Sequence, residues 1–270
     1  MIDGAALAGA GQAPVRLSAL EFDVLTEHLG LDTMPLVLRV PSPGRTWSER
    51  AELADSVWQA LGARRLGDRR DLDPALERML RLLAHPVSEL DGRTWFERSV
   101  RVLAASGVPD GSGADAVLVV KDEDALTLRP VSASGLPREA TSVLPVLAAG
   151  PGRSVTVRSA DLDAAAAGTG GNTEALEGEL VRRGVRGDDA EILTSMVREA
   201  GARGQFGAAA RDRLGRRVRA QRVVGFFDTP HGRYAQLRRD SPSGDSWSTI
   251  APADSRRMIA HVEELLTDLT

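Results

Sequence analysis

The chain has 270 residues, 42% of them hydrophobic and 27% charged, which suits a folded protein able to bury a sizeable core. Its net charge of −4 gives no overall drive toward nucleic acid or a membrane, and no apolar run approaches the ~18 residues that a membrane span needs. There is no cysteine, which excludes disulfides, thiolate nucleophiles and thiolate metal sites.

Residues 1–14 are rich in alanine and glycine and lack the basic start and apolar core of a secretory signal. They are expected to be disordered. Ser18 and Glu21 have capping-box spacing and predict a helix to Leu29. Residues 34–40 read as a short extended segment ended by Pro41 and Pro43. Thr46 with Glu49 is a second capping box, and Leu53, Val57, Trp58 and Leu61 mark one face of the helix it opens. Asp73-Pro74 starts a third helix with Leu76, Met79, Leu80 and Leu83 inward, stopping near His85-Pro86. Residues 93–104 read as one strand, Asp110-Gly-Ser-Gly113 as a turn, and residues 114–121 and 124–131 as a hairpin about Asp122-Glu123. A short helix over 136–143, a strand over 153–158 and a helical turn capped by Ser159 follow.

Gly168-Thr-Gly-Gly171 lacks the Lys-Ser/Thr of a phosphate loop and reads as a flexible loop. Helices are predicted over 173–183 and 188–200, the second with Asp188 and Glu191 as its capping pair. Strands are expected near 205–212, 219–227, 233–239 and 247–250. Thr229-Pro-His-Gly232 is a tight turn. In the closing helix, Pro252 is placed at the first helical position and Asp254 in the first turn. Consecutive strands on short turns must be antiparallel, so the class is α+β. The expected fold is a central antiparallel sheet built from two similar halves, about 15–158 and 159–270 of a single domain, covered by helices.

Phe227-Asp-Thr-Pro-His-Gly-Arg-Tyr234 and Trp247-Ser-Thr-Ile-Ala-Pro-Ala-Asp254 resemble the C-terminal signature of the EspG family. Leu17-Ser-Ala-Leu-Glu-Phe22, Leu29-Gly-Leu-Asp-Thr-Met-Pro-Leu-Val-Leu38 and Glu49-Arg50 extend the resemblance to the N-terminus. It implies a cytoplasmic chaperone of an actinobacterial type VII (ESX) secretion system. It further implies a quasi-two-fold fold with a C-terminal helical bundle, and no enzymatic activity or cofactor. The implied partner is a PPE protein of a PE–PPE heterodimer, whose exposed hydrophobic tip the chaperone covers. Docking in the family uses the central sheet and the helical bundle. On that ground the polar face of the helix over 188–200 and the segment after it form the expected contact strip: Asp189, Thr194, Ser195, Arg198, Glu199, Arg203, Gln205 and Phe206. A monomer or weak homodimer is expected, with no nucleic acid or membrane partner.

Other chemistry has less support. His28, His85, His231 and His261 make no metal-binding spacing. Asp228, His231 and Arg233 about one turn could form a small-molecule or catalytic site, the alternative reading. Arg211, Arg213, Arg216, Arg217, Arg219 and Arg222 form a basic cluster without aromatic interleaving, which favours a solvated or protein-facing surface over a nucleic-acid one.

Overall fold

The computed structural model describes residues 13–108, 115–170, 172–241 and 243–269. The chain divides into two compact units. The first comprises residues up to Gly92, Ser99–Val143 and Ala209–Val218; the second comprises Arg93–Arg98, Leu144–Ala208 and residues from Arg219. The strands form a large antiparallel sheet and the class is α+β, as expected.

The first unit runs β1 (Val15–Ser18), α1 (Ala19–His28), a 3-10 turn at Leu36–Leu38, α2 (Trp47–Ala63) and α3 (Pro74–Ala84). Then come β2 (Ser88–Trp95), β3 (Ser99–Ser106), β4 (Ala116–Asp122), β5 (Ala125–Val131) and α4 (Leu136–Thr141). Its strand order is β1-β5-β4-β3-β2. The second unit repeats this plan with β6 (Val155–Arg158), α5 (Ser159–Thr169), α6 (Thr173–Arg182), α7 (Gly187–Val197), β7 (Arg203–Arg211), β9 (Val224–Thr229), β10 (Gly232–Asp240), β11 (Ser246–Pro252) and α8 (Ser255–Thr267). Its order is β6-β11-β10-β9-β7, and the short β8 (Arg217–Arg219) pairs with β7. Each unit is thus a strand, three helices, a four-strand meander that returns to pair with the first strand, and a helix.

Local chemistry explains the helix starts. Ser18 Oγ accepts from Glu21 N at 3.1 Å while Ser18 N donates to Glu21 Oε2 at 2.7 Å. Thr46 and Glu49 close the same reciprocal pair. Asp73 accepts from Ala75 N and Leu76 N, with Pro74 opening α3. These bonds satisfy amides that have no partner within the helix. In the first unit, Phe22, Leu25, Leu61, Leu80 and Leu83 pack on Leu103, Val117, Val119, Leu126 and Leu128. In the second, Leu162, Leu180, Leu193 and Met196 pack on Val155, Val157, Phe227, Tyr234 and Ile250. Each such side chain, fully buried, contributes about 1.5–3 kcal/mol.

Several expectations need correction. Residues 34–40 hold the 3-10 turn instead of a purely extended run. The strand over 93–104 is two strands, because the chain reverses between Trp95 and Ser99. Glu97 takes a left-handed φ of 82° there, and Phe96 N donates to Arg98 O at 3.0 Å. Residues 219–227 likewise split into β8 and β9. Ser159 does not cap α5; its hydroxyl lies 2.8 Å from Ser248 Oγ, buried under the helix. The Asp188/Glu191 box is not formed, since α7 begins after Arg186 with no side-chain cap. Gly168 and Thr169 are the last turn of α5, closed by Gly170 at φ 56°, and Asn172 caps α6. Gly171, the whole of the 110–113 turn and residues 1–12 lie outside the described residues.

Pro252 ends β11 rather than opening α8. Asp254 is the N-cap, accepting from Arg257 N at 2.8 Å. Replacing Asp254 by alanine is expected to cost about 1 kcal/mol, read as a lower urea midpoint with unchanged slope.

Candidate partner-binding strip

The strip lies in the second unit, where α7 hands the chain to β7. Its apolar residues Ala190, Leu193 and Met196 are buried, which fixes the rotation of α7. Asp189 then sits half-buried at the first turn, bonded to Arg153 Nη2 at 2.6 Å. Ser195 is exposed and returns its hydroxyl to Ile192 O at 2.7 Å. Arg198 leaves the helix in an extended conformation, and Glu199 reverses the chain at φ 61°. Gly201 N then donates to Asp228 O at 2.9 Å and Asp228 N to Ala202 O at 2.8 Å, which starts the pairing of β7 with β9.

Along β7, Arg203 pairs with Phe227, Gln205 with Gly225 and Phe206 with Val224. The two-residue alternation of a strand therefore puts Arg203 and Gln205 on one face and Phe206 on the other. Arg203 and Gln205 are exposed. Phe206 is fully buried, stacked on Phe226 with ring centroids 6.0 Å apart. Thr194 is also buried, at 3% exposure, and its hydroxyl has no hydrogen-bond partner. Neither Thr194 nor Phe206 belongs to a surface strip; packing of α7 and β7 takes them inside. The accessible strip is Asp189, Ser195, Arg198, Glu199, Arg203 and Gln205. His231 joins it, with Nε2 3.7 Å from the Glu199 carboxylate and a side chain 69% exposed.

The alternative site does not assemble. Arg233 is fully buried. Its Nε donates to Asp228 Oδ1 at 2.6 Å, and its Nη2 donates to Asp228 Oδ2 at 2.9 Å and to Pro145 O at 3.0 Å. The guanidinium also lies 5.4 Å from the Phe226 ring centroid. This fork binds a carboxylate of the protein itself, while His231 points away to solvent. The turn is a two-residue reversal through Pro230 and His231, held by Thr229 Oγ1, which accepts from His231 N at 3.2 Å and lies 3.1 Å from Gly232 O.

The basic cluster is largely neutralised. In the first unit, Arg217 Nε donates to the buried Glu89 at 2.8 Å and Arg216 Nε to Asp212 at 2.8 Å. The Asp212 carboxyl is held below the usual carboxylate range, chiefly by the Arg216 amide. Arg211 bonds the carbonyls of Pro86 and Gly215. In the second unit, Arg222 bonds Asp268 at 2.6 Å. Among the described residues, no group of three or more His, Asp or Glu side chains could hold a metal ion, and no helix is long and apolar enough to cross a membrane.

One surface was not singled out from sequence. On β6 and β11 the faces not covered by α5 carry Thr156, Arg158, Trp247 and Thr249, with the Arg158 guanidinium 5.8 Å from the Trp247 ring centroid. The alternation of Val155 and Val157 with Thr156 and Arg158 is the signal that finds it.

Residues 18–264 match the EspG family. No curated protein matches the chain. Among solved structures, the Mycobacterium tuberculosis type VII secretion system chaperone EspG5, determined in complex with the PE25–PPE41 dimer, has the same fold. The TM-score is 0.68 over 96% of this chain and 97% of that one, at 16% identity.

Proposed function

Because the chain belongs to the EspG family, matched from residue 18 to residue 264, we propose that it is a cytoplasmic, non-enzymatic type VII secretion chaperone. Its substrate is the PPE subunit of a PE–PPE heterodimer. It covers the hydrophobic tip of that subunit and keeps the pair soluble until export. The observation that carries this reading is the family match. The likeness of fold to a chaperone bound to a PE–PPE dimer supports it. Covering an exposed apolar patch suppresses aggregation, and polar and charged groups at its rim select the partner.

The accessible part of the strip, which includes the exposed Arg198, Arg203 and Gln205, is our candidate for such a rim. The enclosure of Arg233 by Asp228 and Pro145 disfavours a substrate site at that turn.

Co-expression with PE–PPE-type pairs encoded near this gene, followed by size exclusion, is the test. A stoichiometric ternary complex is expected. A well-folded chain that elutes alone with every pair would overturn the reading. Within a complex, Arg203→Glu is expected to weaken binding by about tenfold, read by calorimetry. Unchanged affinity would move the interface elsewhere.

A further inference from the structure

An open groove of about 260 Å3 lies within the first unit, between α3 and the ends of the strands. Two rows of α3 side chains line it. Ala75, Met79 and Leu82 follow one another at spacings of four and three; Arg78, Arg81 and His85 follow at three and four. Met79 is buried and Leu82 half-buried, whereas Arg78, Arg81 and His85 are exposed. The apolar row is therefore the inner one and the cationic row the outer. Val108, Ala116 and Pro130 complete the apolar wall on the strand side. Any amphipathic surface helix carries charge outside its apolar stripe. Here the apolar stripe borders open space as well as packed side chains.

The outer row holds positive charge that the chain only partly answers. Arg81 Nε donates to Glu77 Oε1 at 2.7 Å, which engages one edge of that guanidinium. Arg78 makes no hydrogen bond or ion pair among the described residues. Asp115, near the strand ends, is directed elsewhere: its Oδ1 accepts from Ala133 N at 3.0 Å. The groove thus joins an apolar wall to a row of cations with an open guanidinium.

Its shape narrows the choice of occupant. From Ala75 to the C-cap His85 is ten residues (85 − 75), about 15 Å of helix axis. A helix of that length, about 10 Å across, would displace on the order of 1,200 Å3, far more than the groove offers. An extended peptide would need partners for its own amides and carbonyls. The strand ends have few to give, because Gly107 N already donates to Asp115 O at 2.8 Å and Ala116 pairs with Ser106 and Val131. Pro130 has no N–H. A linear alkyl chain makes no such demand.

We propose that this groove binds the anion of a linear medium-chain carboxylic acid. The alkyl chain lies along Met79, Leu82, Val108 and Pro130, and the carboxylate is held by the fork of Arg78, with Arg81 and His85 adding positive charge beside it. The site is independent of the partner-binding strip, which belongs to the other unit.

The test is a titration of the full chain with octanoate, read by NMR of 13C-methyl methionine. Of the five methionines, Met79 lines the groove, whereas Met196 and Met258 belong to the second unit. The Met79 methyl signal, assigned with Met79→Leu, is expected to shift saturably at millimolar octanoate while those of Met196 and Met258 stay in place. Arg78→Gln is expected to raise the apparent Kd about tenfold, and 1-octanol to bind the unmodified chain about tenfold more weakly than octanoate. A Met79 signal that octanoate leaves unmoved overturns the proposal, as does a shift shared by methionines of both units. Equal affinity for octanoate and 1-octanol, unaffected by Arg78→Gln, overturns the assignment of an anion.

Discussion

Arg233→Met is expected to lower stability by about 3–5 kcal/mol, because it leaves the Asp228 carboxylate buried and unpaired. Methionine keeps most of the apolar stem, so the loss reports charge rather than a cavity. Asp228 is 7% exposed and receives both arms of the guanidinium fork. The double variant Asp228→Leu with Arg233→Met is expected to recover a large part of the loss, since it removes both buried charges. Urea unfolding of the parent, both single variants and the pair measures the coupling. If Arg233→Met costs less than about 1 kcal/mol, the pair is not a buried structural clamp.

Gly232→Ala is expected to cost about 3 kcal/mol or more, from two independent causes. Its φ of 133° is one that side-chain-bearing residues rarely adopt. Its added methyl would also lie 2.7 Å from Gly150 N and 2.8 Å from Ala148 O, backbone atoms held by their bonds to Arg233. Gly184 is the control: its φ is 87°, yet a Cβ there meets nothing within 4 Å. Gly184→Ala should cost only about 1 kcal/mol, the backbone term alone. Equal losses at the two positions would show that packing against residues 148–150 contributes little.

What could be read from sequence was local chemistry. Ser18/Glu21, Thr46/Glu49 and Asp73-Pro74 predict helix starts because a cap and its amides lie within a few residues. The hairpin about Asp122-Glu123 was legible for the same reason, and Glu123 makes its turn at φ 54°. The β2–β3 reversal was not, because Glu97 adopts its left-handed φ without a glycine or asparagine to announce it. Thr194 and Phe206 were misplaced because helical periodicity does not say which sheet face receives the helix. Phe206 is committed by its pairing with Val224, a partner 18 residues on (224 − 206). The Arg233–Asp228 fork was visible only as proximity; its enclosure by Pro145 depends on a carbonyl far away in sequence.

The path of the backbone passes between the two units after residues 92, 98, 143, 208 and 218. Neither unit is therefore a heritable module. A gene fragment ending at residue 143 lacks Ala209–Val218 of the first unit, and the remainder lacks Arg93–Arg98 of the second. Recombination between relatives at that midpoint would give a hybrid in which each unit carries a foreign segment. Any single crossover along the chain divides at least one of the two units between the parents, which couples the evolution of the two units.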